Sequence, residues 1–393
     1  MNLLQIEDHY GAHNYKPLPV VVSEAKGVWV TDIEGNRYLD CLSAYSAVNQ
    51  GHCHPRLIKA LTEQAAKVTL TSRAFHNDQL PLFCKELAEL CGMDGVLPMN
   101  TGAEAVETAV KMARRWGYGH KPIAEDAAEI VVCANNFHGR TTTIVSFSSD
   151  SGYRRGFGPF TPGFKIVPFG DIDALRDAIG PNTVAFLTEP IQAEAGILMP
   201  PDGYLRAAAD LCRQNDVLFM ADEIQTGLGR TGRWLTCEYE EVKPDVLILG
   251  KALSGGFYPV SAVLARRDVL DVFTPGSHGS TYGGNPLGCA VAREALAITK
   301  EERLPERSAD LGTWLLKELN ASLKHPDIVE IRGRGLLIGI ELSSPARPFC
   351  EALKELGMLC KETHDTIIRL APPLIIEQAE LEWMVDKLRQ VLG

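Results

Sequence analysis

Short aliphatic runs separated by helix-like segments dominate the middle of this 393-residue chain. The runs are IVVCAN (130–135), TVAFLTEP (183–190), VLFMADE (217–223) and VLILGK (246–251). Strands that are apolar on both faces must be covered on both faces, and in a parallel sheet the intervening helices cover them. The pattern therefore predicts an α/β fold whose large domain has a mostly parallel central sheet.

Two further parts flank this region. After residue 285 the chain shows two amphipathic helical patterns, the strand-like GRGLLIGIEL and a closing helix, which together are typical of a smaller α+β unit. Near the N-terminus, GVWVTDIEGNRYLDCLS predicts a hairpin with its turn at 34–36. We therefore predict an N-terminal segment (1–45) that packs with a small C-terminal domain (286–393), and a large domain between them (46–285).

Charge and composition restrict the partners. A net charge of -11 and a pI near 5.5 argue against binding to nucleic acid or to an anionic membrane surface. No apolar run approaches the roughly 20 residues needed to cross a bilayer, and the N-terminus lacks a secretory or transit pattern, which predicts a cytoplasmic protein. The ten cysteines are scattered without a CxxC pair, and GHCHP (51–55) has no distant ligand partners, so we predict neither a disulfide framework nor a metal site.

Three ionisable residues follow the apolar runs. Glu189, Asp222 and Lys251 each stand where a strand should end, and ligands of parallel sheets bind at the carboxyl ends of the strands. A lysine next to so much hydrocarbon is costly unless it pairs with an acid, returns to water or acts as a neutral amine. An acid such as Asp222 can hold a cationic heterocycle near such an amine. The strand ends are therefore the candidate site.

The segment NTGAEAVETAVKMAR provides a third element of this site. Thr101 and Glu104 have the spacing of a capping box, which leaves the amides of Gly102 and Ala103 free at a helix N-terminus. Such an end binds phosphate readily. A lysine for a Schiff base, an acid for a ring nitrogen and a phosphate-binding helix end are the parts that pyridoxal phosphate (PLP) requires.

A glycine-rich segment offers a rival interpretation. TGLGRTGR places Gly227, Gly229 and Gly232 in the GxGxxG spacing of dinucleotide-binding proteins, and a nicotinamide-dependent oxidoreductase would rest on that spacing alone. In those proteins the glycines lie directly in a strand-to-helix turn, whereas here DEIQT intervenes and no clear helix follows. We therefore predict a flexible loop.

Longer motifs identify the family. LFMADEIQTGLGRTGRW and KPDVLILGKALSGGFYPVSAV closely resemble the signature of the class III aminotransferases, and NTGAEAVETAVKMAR, EPIQAEAG and STYGGNPLGCA lie in the expected order. The resemblance covers nearly the whole chain. It implies a PLP-dependent transferase of fold-type I with amino-acid and oxo-acid substrates, assembled as a homodimer or a larger homo-oligomer.

The resemblance also implies roles for residues at matching positions. Lys251 would bind the cofactor covalently and carry the proton between substrate and cofactor, while Asp222 would pair with the ring nitrogen. Phe137 would stack on the ring, and Thr281 would reach the phosphate from a second subunit. The full set implied for the cofactor is Gly102, Ala103, Phe137, His138, Asp222, Gln225, Lys251, Ser280 and Thr281.

A narrower resemblance concerns the substrate. GAHNYKPLPVV, LSAYSAVNQGHCHP, LTSRAFHN, HGSTYGGNP and IIRLAPPL are similar to the members of the family that pass the terminal amino group of L-ornithine to 2-oxoglutarate. The alternatives are another ω-amino donor, acetylornithine or 4-aminobutyrate, or a noncatalytic scaffold of the same fold. The joint presence of Lys251 and Asp222 opposes the scaffold.

Five residues are implied for the substrate. Arg140 and Tyr15 would hold the carboxylate and amino group at the far end of ornithine, and Tyr45 would line the pocket. Glu194 would pair with Arg369.

Two positions depart from the family pattern near the expected pocket. Ala193 stands where glycine is usual, and His138 stands where many relatives of this subfamily carry tryptophan. These departures bear on the shape of the pocket and leave the chemistry unchanged.

Overall fold

The computed structural model describes residues 1–393 and contains three sheets. Fifteen strands, β1 to β15 in chain order, span Val22–Lys26, Trp29–Asp32, Arg37–Asp40, Gly95–Met99, Glu129–Cys133, Phe164–Val167, Thr183–Thr188, Leu218–Asp222, Val246–Leu249, Ser261–Ala265, Ile328–Arg334, Leu337–Leu342, Met358–Leu359, Lys361–Thr363 and Ile367–Leu370. Fourteen helical segments, α1 to α14, span Leu3–Tyr10, Ser43–Ser46, Pro55–Ala65, Leu80–Cys91, Gly102–His120, Thr142–Ser146, Ser151–Arg154, Ile172–Ala178, Tyr204–Gln214, Arg267–Leu270, Pro286–Glu301, Leu304–Ser322, Arg347–Glu355 and Gln378–Leu392. None of these helices combines the length and the apolar character that a membrane crossing requires.

The largest sheet has seven strands in the order β4-β10-β9-β8-β7-β5-β6. Only β10 runs antiparallel to its neighbours, β4 and β9, and all other neighbouring pairs are parallel. The four aliphatic runs of the sequence form β5, β7, β8 and β9, which confirms the predicted mostly parallel sheet. Because β7, β8 and β9 are consecutive parallel strands of the sheet, their carboxyl ends lie side by side at one edge.

Buried side chains cover both faces of this sheet. Along β8, Phe219 and Ala221 belong to one apolar cluster, and Leu218 and Met220 belong to another, as the alternation of a strand requires. Helices α9 and α11 contribute to the first cluster and α5 to the second. The sheet is therefore fully covered, which explains why its strands are apolar on both faces.

A separate apolar core lies under the two four-stranded sheets. It joins Val28, Leu39 and Cys41 of the N-terminal region to side chains between Leu304 and Leu392. The predicted hairpin is confirmed, since β2 pairs antiparallel with β3, and β3 in turn pairs parallel with β13 near the C-terminus.

The division of the chain into 1–45, 46–285 and 286–393 stays a prediction, and α11 bears on its second boundary. This helix follows residue 285, yet its buried Cys289, Ala292 and Leu296 pack in the core of the seven-stranded sheet. The smaller core begins with Leu304 of α12. We therefore propose that the small domain starts after α11.

The N-terminus of α5 has the predicted capping box. The Thr101 hydroxyl accepts from the Glu104 amide at 3.2 Å, and Glu104 Oε2 accepts from the Thr101 amide at 3.0 Å. The cap fixes the point at which the helix begins, so that Gly102 and Ala103 are its first two residues. Their amides are not used within the helix, which leaves them available for an anion.

Candidate active site

A cavity of about 210 Å³ opens at the carboxyl edge of β7, β8 and β9. Its lining residues are Gly102, Ala103, Phe137, His138, Gly139, Glu189, Ile191, Asp222, Ile224, Gln225, Thr226 and Lys251. The structure thus brings together all the residues predicted for the cofactor except Ser280 and Thr281. The parallel order of the three strands is the cause, because it sets Glu189, Asp222 and Lys251 at neighbouring strand ends.

Lys251 lies two residues beyond the end of β9, in a left-handed backbone conformation with φ +44°. The residue is half-buried because it forms part of the cavity wall. Burial lowers the pKa of its amine to about 8, a shift that Arg369 reinforces and that Glu194 and Asp222 oppose. About a tenth of the amine is therefore neutral at pH 7, which is the form that attacks a carbonyl carbon.

Asp222 is held by two donors. Its Oδ2 lies 2.6 Å from Nδ1 of His138, and its Oδ1 accepts from the Ile224 amide at 3.1 Å. The side chains of His138 and Asp222 are 0% and 3% exposed, and Nε2 of His138 has no partner. The tautomer with its proton on Nδ1 donates to the Asp222 carboxylate and has no N–H at the unpartnered Nε2. His138, which we predict to contact the cofactor, thus lines the cavity and also binds Asp222, the acid predicted to pair with the ring nitrogen.

Glu189 is a cavity residue to which the sequence assigned no role, although its place after β7 marked it as a strand-end acid. Its Oε2 accepts from the Phe137 amide at 3.0 Å. Burial, and then the nearby charge of Asp222, raise the pKa of Glu189 well above its usual range. Through this hydrogen bond Glu189 fixes the backbone of Phe137 in the cavity wall.

The N-terminus of α5 offers a small surface at which an anion can bind. A Cβ atom on Gly102 would lie 3.1 Å from Ile224 Cδ1, and one on Gly139, which has φ +130°, would lie 3.0 Å from Ala103 Cβ. The two glycines therefore keep the backbone of this end of the cavity accessible to a bound group.

Ser280 and Thr281 lie outside this cavity. They border a separate cleft of about 490 Å³, which also reaches Thr101 and Ala103. The Ser280 hydroxyl is occupied there by Asn100 Nδ2 at 3.0 Å, and Thr281 is exposed. Within one copy of the chain Thr281 is not a cavity residue, and its predicted contribution from a second subunit stays a prediction.

Glu194 and Arg369 form a buried ion pair. Arg369 is 1% exposed, and its Nη1 donates to Glu194 Oε1 at 2.6 Å. Gln225 Nε2 donates to the same oxygen at 3.1 Å. Burial alone would raise the pKa of Glu194, but Arg369 and then Lys251 lower it to about 2. The ring of Tyr45 covers the guanidinium, whose Cζ lies 4.9 Å from the ring centroid.

The other residues predicted for the substrate do not line the cofactor cavity. Arg140 is exposed, pairs with no carboxylate, and stacks on Tyr153 at 3.8 Å and near Phe137 at 5.5 Å. Tyr15 is 72% exposed and lines a second cavity of about 570 Å³ together with Tyr45. Tyr45 therefore connects the outer cavity with the Arg369 ion pair.

Ala193, the first departure from the family pattern, is fully buried. It packs with Ile191, Ile197, Leu337 and Ala371 in a small cluster beside the ion pair. Its methyl group fills space between the two cores and does not line the cofactor cavity.

The glycine-rich segment is a loop, but a buried one. It is followed by a 3₁₀ turn at Thr236–Glu240 and by no α-helix, so it lacks the geometry of a dinucleotide-binding turn. Arg230 at its centre is 0% exposed. The segment is part of the packing between the two cores.

Together the cavity residues fit pyridoxal phosphate. The amine of Lys251 has a lowered pKa, the Asp222 carboxylate is buried for a protonated ring nitrogen, and the amides at the start of α5 are open to a phosphate. Phe137 provides an aromatic wall.

Comparison with known proteins agrees with this chemistry. The Aminotransferase class-III family matches residues 10–392. An ornithine aminotransferase from Geobacillus sp. (strain WCH70) is 60% identical over 391 residues, which are 100% of this chain and 98% of that protein. An ornithine aminotransferase structure from Toxoplasma gondii, with partial occupancy of PLP at its active site, has a TM-score of 0.98 at 48% identity and covers 99% of this chain and 93% of that one. An acetylornithine aminotransferase from Elizabethkingia anophelis has a TM-score of 0.91 at 49% identity, covering 99% and 97%.

The lowered pKa of Lys251 predicts a pH-dependent stability difference in the cofactor-free protein. With a folded pKa of about 8 against 10.5 in the unfolded chain, folding releases a proton between these values, so stability rises with pH there. Lys251→Met removes the buried amine. The free energy of unfolding of this variant should exceed that of the wild type most below pH 8, and the excess should shrink towards pH 10.5. Thermal unfolding across this range measures the difference.

Lys317→Met is the matched control, because Lys317 is exposed on α12. It should show no such trend. A Lys251→Met difference that is constant from pH 7 to 10.5 would contradict the lowered pKa.

Proposed function

This chain belongs to the class III aminotransferases, and we propose that it transfers the terminal amino group of L-ornithine to 2-oxoglutarate. The products are glutamate and glutamate 5-semialdehyde, which cyclises to pyrroline-5-carboxylate. The observation that carries the proposal is the closed Glu194–Arg369 pair beside Lys251, together with an Arg140 that has no acid partner.

The enzyme is a PLP-dependent aminotransferase of fold-type I. When bound, pyridoxal phosphate supplies an electron-withdrawing ring that stabilises negative charge on the substrate carbon next to the nitrogen. Lys251 would hold the cofactor and would carry a proton at its Nζ, for which a pKa of about 8 is well suited. Asp222 keeps the ring nitrogen protonated, and His138 and the Ile224 amide hold the carboxylate in place.

Selectivity requires that one site accept two different substrates. Ornithine must enter with its terminal amine foremost, whereas glutamate and 2-oxoglutarate must present the carbon beside their α-carboxylate. An uncovered Arg369 would bind the α-carboxylate of either amino acid and would draw in the wrong amine of ornithine. With Glu194 in place, that charge is neutralised, and the α-carboxylate of ornithine is left for Arg140. An incoming dicarboxylate can displace Glu194, because it offers Arg369 the same type of charged partner.

The Tyr15 hydroxyl supports ornithine over the rival donors. Tyr15 and Tyr45 both line the outer cavity, and Tyr45 covers Arg369 of the Glu194–Arg369 pair. A free α-amino group gives this hydroxyl a partner, whereas acetylornithine has an amide at that position and 4-aminobutyrate has no amine there. Two relatives that are 60% and 59% identical to this chain are named ornithine aminotransferase, which agrees with this choice.

We propose further that the enzyme is a cytoplasmic homodimer that links arginine metabolism with proline biosynthesis. The cleft bordered by Ser280 and Thr281 adjoins the start of α5, so a second copy seated there could present Thr281 to a phosphate. The cyclic product is one reduction away from proline, which supports the pathway.

A panel of amino donors tests the proposed reaction directly. Ornithine, acetylornithine and 4-aminobutyrate are each supplied with 2-oxoglutarate, and the products are identified by mass spectrometry. We expect ornithine to be preferred and to give pyrroline-5-carboxylate. Formation of 2-oxo-5-aminopentanoate from ornithine, or preference for another donor, would refute the proposal.

Replacement of Glu194 by alanine should alter the choice of amine. The change removes a charge-assisted hydrogen bond worth about 1.5–3 kcal/mol and exposes Arg369 to any α-carboxylate. The ratio of single-turnover rates, ornithine over glutamate, should fall about tenfold or more, with a faster glutamate half-reaction.

Glu86→Ala is the control, since Glu86 pairs with Arg293 on the helices α4 and α11. Its rate ratio should match the wild type. If Glu194→Ala also keeps the wild-type ratio, Glu194 has no part in selectivity, and Tyr15 and Arg140 must account for it.

A further inference from the structure

Arg230 is a fully buried cation without an acid partner. Its Nη1 donates to the carbonyls of Leu336 at 3.0 Å and Pro372 at 2.7 Å. Its Nη2 donates to Ser43 Oγ at 3.3 Å and to Asn49 Oδ1, and its Nε has no partner. A buried charge that meets only neutral acceptors is costly. The fold therefore retains it at the expense of stability.

The acceptors of Arg230 belong to separate parts of the molecule. Arg230 lies in the loop that follows β8, Pro372 follows β15, and Leu336 joins β11 to β12. Ser43 and Asn49 lie in the N-terminal region that leads into the large domain. One guanidinium thus ties together three segments that meet beside the ion pair of Arg369.

One of these segments has an unusual backbone. Ser43, Ala44, Tyr45 and Ser46 have φ values of 44°, 49°, 60° and 68°, so they form a left-handed turn without any glycine. Left-handed helical geometry costs about 1–2 kcal/mol for each residue with a side chain. Such a conformation persists only where the surroundings determine it.

The contacts of Ser43 are the ones that hold the turn. Its hydroxyl donates to the Ala371 carbonyl at 2.6 Å while accepting from Arg230. Its amide donates to Asp40 Oδ1 at 2.9 Å, and its carbonyl accepts from the Val48 amide at 3.0 Å. Ser43 is therefore the point at which the turn is fastened to the segment after β15.

The turn determines where Tyr45 lies. Its ring covers the Arg369 guanidinium, and Arg369 on β15 is three residues before Pro372. Arg230 therefore holds the turn that carries Tyr45, through Ser43, and the segment that carries Arg369, through Pro372.

We propose that Arg230 is a positioning residue for substrate selectivity: by fixing the left-handed turn at 43–46 against the segment after β15, it keeps Tyr45 over Arg369. This inference rests on the proposed function, because it explains how the closed Glu194–Arg369 pair is shielded from the α-carboxylate of an amino donor. Arg230 touches neither substrate nor cofactor in this role and acts through Tyr45.

The shape of the guanidinium is what the role requires. Its planar fork reaches two carbonyls with one nitrogen and two side-chain oxygens with another. A lysine ammonium is a compact charge with three donors on a single atom and cannot span both sets. Arg230→Lys therefore retains the charge and removes the fork.

The test combines Arg230→Lys and Ser43→Ala with the control Arg293→Lys. Arg293 is another well-bonded arginine, paired with Glu86 far from the turn. The holoenzymes are compared by the single-turnover rate ratio, ornithine over glutamate, by the visible absorbance of the cofactor, and by hydrogen exchange at the amides of Ala47 and Val48. Both amides donate to the Ser43 carbonyl and so report on the turn.

For Arg230→Lys we expect a rate ratio about tenfold lower, faster exchange at Ala47 and Val48, and unchanged cofactor absorbance. Ser43→Ala should change the ratio and the exchange in the same direction but by less, and Arg293→Lys should change neither. A wild-type ratio in Arg230→Lys, or an equal loss in both half-reactions, would overturn the proposal.

Two other results would also decide whether Arg230 has this role. If Arg230→Lys does not fold, Ser43→Ala decides, and wild-type values of its ratio and exchange would refute the role. If the wild type does not use the terminal amine of ornithine, the proposed function fails, but the exchange comparison between Arg230→Lys and Arg293→Lys still tests whether Arg230 holds the turn.

Discussion

An amine enclosed by protein at the end of a strand is the constraint on which the rest of this site depends. The seven-stranded sheet is covered on both faces, and the burial of Lys251, two residues after β9, disfavours a charged ammonium. The parallel order of β7, β8 and β9 places Glu189 and Asp222 beside it. The fold thus produces a reactive amine and an acid partner from a single arrangement of strands.

The neighbouring charges are arranged so that few remain uncompensated. The pKa of Glu189 is raised by burial, Asp222 is held by His138, and Glu194 is paired with Arg369. The cavity can therefore accept a cofactor that carries both a cationic ring nitrogen and an anionic phosphate. The proposed selectivity between ornithine and glutamate follows from the Glu194–Arg369 pair, which an incoming dicarboxylate can open.

Local patterns predicted the parts of the fold that depend on local physics. Apolar runs predicted the parallel strands, and the spacing of Thr101 and Glu104 predicted the cap of α5. The positions of Asp222 and Lys251 after such runs predicted that both belong to the site. The pairing of Glu194 with Arg369 spans 175 positions, and only the family resemblance suggested it.

Other features could not be read from the sequence, because they arise from tertiary packing. The contact between His138 and Asp222 spans 84 positions, and the left-handed turn at 43–46 contains no glycine that would mark it. The glycine-rich loop was expected to be flexible, yet it carries the buried Arg230 that crosses between the two cores. The place of α11 in the larger core depends on packing against β-strands far away in sequence.

The proposed mechanism depends above all on cofactor attachment at the Lys251 amine. Borohydride reduction of the purified holoenzyme, followed by proteolysis and mass spectrometry, locates the pyridoxyl group on the chain. We expect a single modified peptide that contains Lys251, with loss of the visible absorbance. A pyridoxyl group on any other lysine, or none at all, would contradict it.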